Sequence, residues 1–300
     1  MNIYIKALRA PFLAGSIVPV IIGTCLAFTE GHFFFSFFLI TVIGVAALHL
    51  GANLLNDYYD AKGSDPINVR LTPFSGGSRV IQNGELKAGT ILIMVIFFFA
   101  LALAAALWLA YAGRPLVFVI GLLGLFAGWA YSAPPFQLMS KGWGEVVIFF
   151  AFGPLITLGA YYVMSGQPSW EAFAVGVPQG FLITAVIWIN QFPDYQADKE
   201  AGKHNLVVRL GLGVSRYLYC LIMILSFVTI ILLVGMMGLS YLTMIAFASF
   251  PLTFKAMRIA WREHLSYEQL IPAQGLTVQM VMVQGLLLSL GIFLSRFIKV

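Results

Sequence analysis

The sequence predicts an all-α, polytopic membrane protein: nine transmembrane helices around a central cavity, with two aspartate-rich motifs at its cytoplasmic mouth. Three observations predict it. The 300 residues are 60% hydrophobic and only 10% charged, whereas soluble domains carry about 25% charged residues. Apolar runs long enough to cross a bilayer recur along the whole chain. Every aspartate falls in one of two short stretches, Asn53 to Asp65 and Asn190 to Asp198, each directly after such a run.

The runs lie at roughly 11–29, 33–55, 89–112, 115–132, 145–165, 170–192, 214–237, 239–256 and 277–297. Lys6 and Arg9 precede the first run as in a signal peptide. No small-residue cleavage site follows and a second run comes at once, so it reads as a retained span. The seventeen basic residues then divide unevenly, with only Arg114, Arg296 and Lys299 on one side of the membrane and the rest on the other. Lys/Arg excess marks the cytoplasmic side. The N-terminus and both aspartate stretches are therefore expected inside, the C-terminus outside, in a bacterial-type inner membrane. The net charge of +5 is spread over short loops and does not suggest a nucleic-acid partner. Residues 1–300 read as a single domain. Cys25 and Cys220 both lie in apolar runs and read as small buried hydrophobes, not as a disulfide or metal ligands. Gly121, Gly124 and Gly128 read as close helix packing.

The longest connections, about 56–88 and 193–213, carry the aspartates, and long loops in compact folds are often functional. A third, about 257–276, is charged but suggests no chemistry. Residues four apart share a helix face. Asn53 and Asp57, Asn56 and Asp60, and Asn190, Asp194 and Asp198 are such sets. Pro193 is expected to kink or break the second stripe. Converging carboxylates repel one another and resist desolvation, so they need a cation. Hard oxygen donors suit Mg2+, which typically links carboxylates to substrate phosphates. Arg70, Arg79, Lys141, Lys199 and Lys203, on the same side of the membrane as the aspartates, could help neutralise a diphosphate. An acid- and base-rich mouth over an apolar bundle suits a molecule with a diphosphate head and a lipid tail. Two other readings stay open: solvated loop charges, and a transporter, since intramembrane carboxylates mark ion pathways. The aspartates sit at span ends rather than midplane, which counts against transport.

Asn56-Asp57-Tyr58-Tyr59-Asp60 and Asp194-Tyr195-Gln196-Ala197-Asp198 resemble the first and second aspartate motifs of the UbiA superfamily of membrane prenyltransferases. The likeness covers nearly the whole chain and is strongest to the menaquinone branch, which prenylates 1,4-dihydroxy-2-naphthoate. It is carried by Arg9-Ala10-Pro11, Gly76-Gly77-Ser78-Arg79, Gly142-Trp143-Gly144-Glu145, Phe152-Gly153-Pro154 and Leu206-Val207-Val208-Arg209-Leu210-Gly211. Tyr131-Ser132-Ala133-Pro134-Pro135 instead resembles branches that take homogentisate, chlorophyllide or glyceryl phosphate lipids. Asp65 departs from the family spacing. The resemblance implies Mg2+-dependent transfer of a polyprenyl chain from a prenyl diphosphate to an aromatic acceptor. Asp57, Asp60, Asp194 and Asp198 would be catalytic. The same four with Asn56 and Asn190 would hold the metal, and Arg70, Arg79, Lys141 and Lys203 the diphosphate. Asn53 and Tyr131 would meet the acceptor, with membrane lipid around the bundle.

Overall fold

A computed structural model describes residues 3–298; Lys299, expected on the outer side, lies outside them. Among the described residues every regular element is helical. A short helix α1 (Ile3–Leu8) leads into α2 (Ala10–Thr29). Next come α3 (Phe35–Asp60), α4 (Ala88–Tyr111), α5 (Leu116–Ser132), α6 (Gly144–Ser165) and α7 (Trp170–Glu200). The last three are α8 (Leu206–Met237), α9 (Tyr241–Glu263) and α10 (Tyr267–Ser295). Eight of these are long and apolar enough to cross a membrane. Helix α5, where the fourth of nine spans was expected, is a shorter apolar helix. The chain is an integral, multi-pass membrane protein.

Helix boundaries depart from the hydropathy runs at their polar ends. Helix α3 continues to Asp60 and α7 to Glu200, so both aspartate motifs are helical, not loop. Pro193 sits inside α7 without ending it. Its ring replaces one backbone donor, and it is buried where α7 packs along α8 and α10. The charged segment 257–276 is also no loop. Helices α9 and α10 run through it, leaving only residues 264–266 between them. Helix α9 is amphipathic there, which lets Lys255, Arg258 and Arg262 leave the apolar layer without ending the helix. Helix α8 begins earlier than hydropathy suggests and is broken at Gly211, whose φ of 76° and ψ of 157° are non-helical.

The bundle is assembled through small residues. A Cβ at Gly153 would lie 2.5 Å from Gly180 N and 2.6 Å from Gly176 O, so α6 and α7 touch backbone to backbone. Gly124 and Gly128 meet Leu48 and Ala52 of α3, and Gly121 meets Ala106 of α4, as close packing predicts. Cys25 and Cys220 are free and half-buried. Helix α3 lies along α4, α2 against α6 and α10, and α7 along α8. This arrangement brings the C-terminal ends of α3 and α7 together at one end of the bundle.

Candidate active site

Each acid motif is positioned by its helix and closed over by a neighbouring loop. On α3, Asn56 Nδ2 donates to Asp60 Oδ2 at 3.0 Å, the i to i+4 contact the spacing predicts. Asp57 Oδ1 accepts from the Ser78 backbone N–H at 3.3 Å and lies 4.0 Å from Arg9 Nη1. Its Oδ2 is buried with no partner. On α7, Asp194 Oδ1 accepts from Asn68 Nδ2 at 2.7 Å and Oδ2 from the Gly76 N–H at 3.4 Å. Asp198 Oδ2 accepts from Asn205 Nδ2 at 2.9 Å. Asn190 Oδ1 accepts from Gln274 Nε2 at 3.0 Å. The loop after α3 can lie this close because Gly76 and Gly77 take φ of 81° and 73°. A Cβ on Gly77 would come within 2.5 Å of Asp65 Oδ2.

Lys203 joins the two motifs. Its Nζ lies 2.8 Å from Asp60 Oδ1 and 3.3 Å from Asp198 Oδ1, with 13% of its side chain exposed. Burial works against the ammonium charge, but Asp60 and then Asp198 outweigh it and hold the Lys203 pKa above its usual range. Asp65 folds in beside them. Gln82 Nε2 donates to its Oδ2 at 2.8 Å, and Arg79 Nη1 donates to its backbone oxygen. Burial first, then the charges of Asp60 and Asp57, push the Asp65 pKa up to about 7. Among the described residues no three carboxylate, imidazole or thiolate side chains form a ready-made metal centre. Lys203, Asn68 and Asn205 sit against the acids instead.

Beneath the acids lies a cavity of about 350 Å³. Its mouth is lined by Asn56, Asp60, Asp194, Asp198 and Lys203, and its lower walls by apolar residues such as Val45, Leu125, Ile148 and Val186. Asn53, Tyr131 and Asn190 also line it. Of the expected site residues, Asp57, Arg70, Arg79 and Lys141 do not. Lys141 turns its Nζ to the Pro135 carbonyl at 2.7 Å, and Arg79 braces Asp65.

Sequence reasoning left out several residues that belong to this site. Arg9 lines the cavity from the junction of α1 and α2, in a left-handed conformation with φ of 51°. Asn68 and Asn205 bond the second-motif aspartates. Buried Glu145 holds Gln191, which lines the cavity. Polar residues inside or bordering apolar runs were the available signal for Arg9, Glu145 and Gln191. Asn68 had none, because its role depends on how the loop folds back.

An apolar chamber capped by paired acids and a largely buried cation suits an enzyme that handles membrane lipids bearing a diphosphate. Residues 16–271 match the UbiA prenyltransferase family, and the chain belongs to it; it is a prenyltransferase. It is similar to the 1,4-dihydroxy-2-naphthoate octaprenyltransferase of Escherichia coli (strain K12), 31% identical over 302 residues, covering 98% of this chain and 96% of that relative. Its fold is that of a UbiA homolog from Aeropyrum pernix K1, with a TM-score of 0.68 at 15% identity over 91% of this chain and 96% of that one. A UbiA homolog from Archaeoglobus fulgidus bound to GPP and Mg2+ superposes with a TM-score of 0.59 at 16% identity, over 96% of this chain and 100% of that one.

Proposed function

We propose that the chain transfers a polyprenyl group from a prenyl diphosphate to 1,4-dihydroxy-2-naphthoate, the acceptor for which its Escherichia coli relative is named, in menaquinone biosynthesis. The observation that carries this reading is the meeting of the two acid motifs through Lys203 above an apolar cavity.

Mg2+ fits the residues present. The donors are all hard oxygens, and Asp57 keeps one buried carboxylate oxygen without a partner. The Archaeoglobus structure holds Mg2+ together with GPP. We assign Asn56, Asp57, Asp60, Asn190, Asp194 and Asp198 to the metal. When bound, Mg2+ would neutralise the diphosphate and stabilise the charge it carries away.

Lys203 supplies a positive charge in a site where few waters compete, and so orients the diphosphate. Asn53 and Tyr131 are assigned to the acceptor. A ring carbon of the acceptor forms a bond to the allylic carbon, whose C–O bond breaks with its electron pair leaving on the diphosphate. Attack at the carbon bearing the carboxylate lets that group depart as CO2, its bond pair restoring the aromatic ring. The apolar walls keep water from the cation-like allylic fragment. Arg70, Arg79 and Lys141 are given no contact with substrate, since none lines the cavity and Arg79 and Lys141 are held by the Asp65 and Pro135 carbonyls. We further propose that residues 1–300 act as one domain, with the N-terminus and the acid mouth on the cytoplasmic side of a bacterial inner membrane.

The test supplies isolated membranes with labelled prenyl diphosphate and 1,4-dihydroxy-2-naphthoate, homogentisate, chlorophyllide or a glyceryl phosphate lipid. The expected result is Mg2+-dependent label in a decarboxylated prenyl naphthoquinol, identified by mass. Label only in another acceptor, or in none of the four, overturns the naphthoate assignment.

A further inference from the structure

The cavity is layered by helix geometry. Helices α3 and α7 both bring their C-terminal ends to the acid mouth, so residues one turn earlier on each lie one turn deeper, about 5.4 Å. On α3 that residue is Asn53, four before Asp57. On α7 it is Gln191, three before Asp194 and beside Asn190, whose side-chain oxygen already accepts from Gln274. Both line the cavity, and each has a buried side-chain atom without a partner: Asn53 Nδ2 and Gln191 Oε1.

The orientation of the Gln191 amide is fixed by chemistry. Its Nε2 lies 2.9 Å from Glu145 Oε1, which also accepts the Leu206 backbone N–H at 3.3 Å. A carboxylate can only accept, so Gln191 must present its NH2 group to Glu145 and leave its carbonyl oxygen free. Glu145 is only 3% exposed and is held at the start of α6, so this arrangement is built into the packed interior. A buried amide oxygen without a donor is costly unless a ligand supplies one. The prenyl tail offers no donor, and a diphosphate offers only acceptors. A phenolic hydroxyl offers an O–H that such an oxygen can accept.

We propose that Gln191 is an acceptor-recognition residue whose Oε1 takes the hydrogen bond of one phenolic hydroxyl of the aromatic acceptor, and that Glu145 is the positioning residue that fixes its amide. This rests on the acceptor being a dihydroxynaphthoate. A hydroxyl that donates to Gln191 also becomes a better electron donor to its ring, which favours carbon attack. The pair rejects a ring that carries hydrogen or a methoxy group at that position, because Gln191 Oε1 would then be buried unpaired.

The test measures dissociation constants by calorimetry on detergent-solubilised protein with Mg2+ and an unreactive prenyl thiolodiphosphate. The probes are 1,4-dihydroxy-2-naphthoate, 1-hydroxy-2-naphthoate and 4-hydroxy-2-naphthoate. Wild type should bind one monohydroxy compound about ten- to hundredfold more weakly than the dihydroxy compound. In Gln191→Met that preference should disappear, with thiolodiphosphate affinity unchanged. Glu145→Gln keeps the amide but frees its orientation, and should lose most of the same preference. A Gln191→Met protein that binds thiolodiphosphate normally and keeps the wild-type preference overturns the proposal. If Gln191→Met does not fold, an undiminished preference in Glu145→Gln does so. Wild type that binds none of the three naphthoates sinks the acceptor reading itself, a separate outcome.

Discussion

Lys203 Nζ lies 2.8 Å from Asp60 Oδ1, a salt bridge between opposite halves of the chain with 13% and 15% of the two side chains exposed. With Asp198 at 3.3 Å, the lysine is the cation that lets two buried carboxylates sit together. Lys203→Met should destabilise the metal-free protein by about 3–5 kcal/mol, the usual cost of leaving buried charge unpaired. Added Mg2+ should recover much of that loss. Thermal unfolding in detergent with EDTA and with Mg2+ checks this, and equal melting of variant and wild type in EDTA would count against the bridge.

Asp65 gives a pH signature. Burial, then Asp60 and Asp57, raise its pKa from 3.8 to about 7 in the folded chain. Between those values the folded chain keeps a proton that the unfolded chain releases. The stability contributed by this group is therefore fully present below about pH 4 and is lost as pH rises toward 7. In EDTA, Asp65→Asn should show a flatter fall in melting temperature from pH 4.5 to 7.5 than wild type. An identical slope would rule out Asp65 as its source.

The backbone contact between α6 and α7 predicts a steric effect on stability. Gly153→Ala places a methyl 2.5–2.6 Å from the backbone at Gly176 and Gly180, where no flexible side chain can yield. The expected cost is at least about 1–3 kcal/mol, read as a lower melting temperature. Gly213→Ala, which meets nothing within 4 Å, is the control.

Orientation is testable by labelling. In a Cys25→Ala, Cys220→Ala background, His32→Cys lies between α2 and α3 and Ser266→Cys between α9 and α10. On intact spheroplasts an impermeant maleimide should label position 32 and leave position 266 until the membrane is opened. The reverse pattern would invert the proposed topology.

The apolar part of each helix was legible in the sequence because burial in lipid demands an unbroken hydrophobic run. The ends of α3, α7 and α9 were not, because Asp57, Asp60, Lys199 and Arg258 continue a helix without continuing its hydropathy. Pro193 misled for a related reason: its missing N–H is a local signal, whereas the packing that keeps α7 intact is tertiary. The acid motifs stood out because this chain has so few aspartates. The partners that arrange them did not, since Asn68 reaches Asp194, and Glu145 reaches Gln191, only after folding. Which basic residues line the cavity was not legible either, because it is set by the fold. Lys203 enters the cavity, while Lys141 is held outside it by Pro135.

The most direct test of two acid motifs forming one diphosphate site is turnover of labelled prenyl diphosphate by Asp60→Asn and Asp194→Asn, each shown folded by its elution profile. Each variant should lose about 10²–10³-fold or more in kcat, with the double variant little worse than the singles because the motifs act as a unit. Wild-type turnover in both single variants would contradict the shared site.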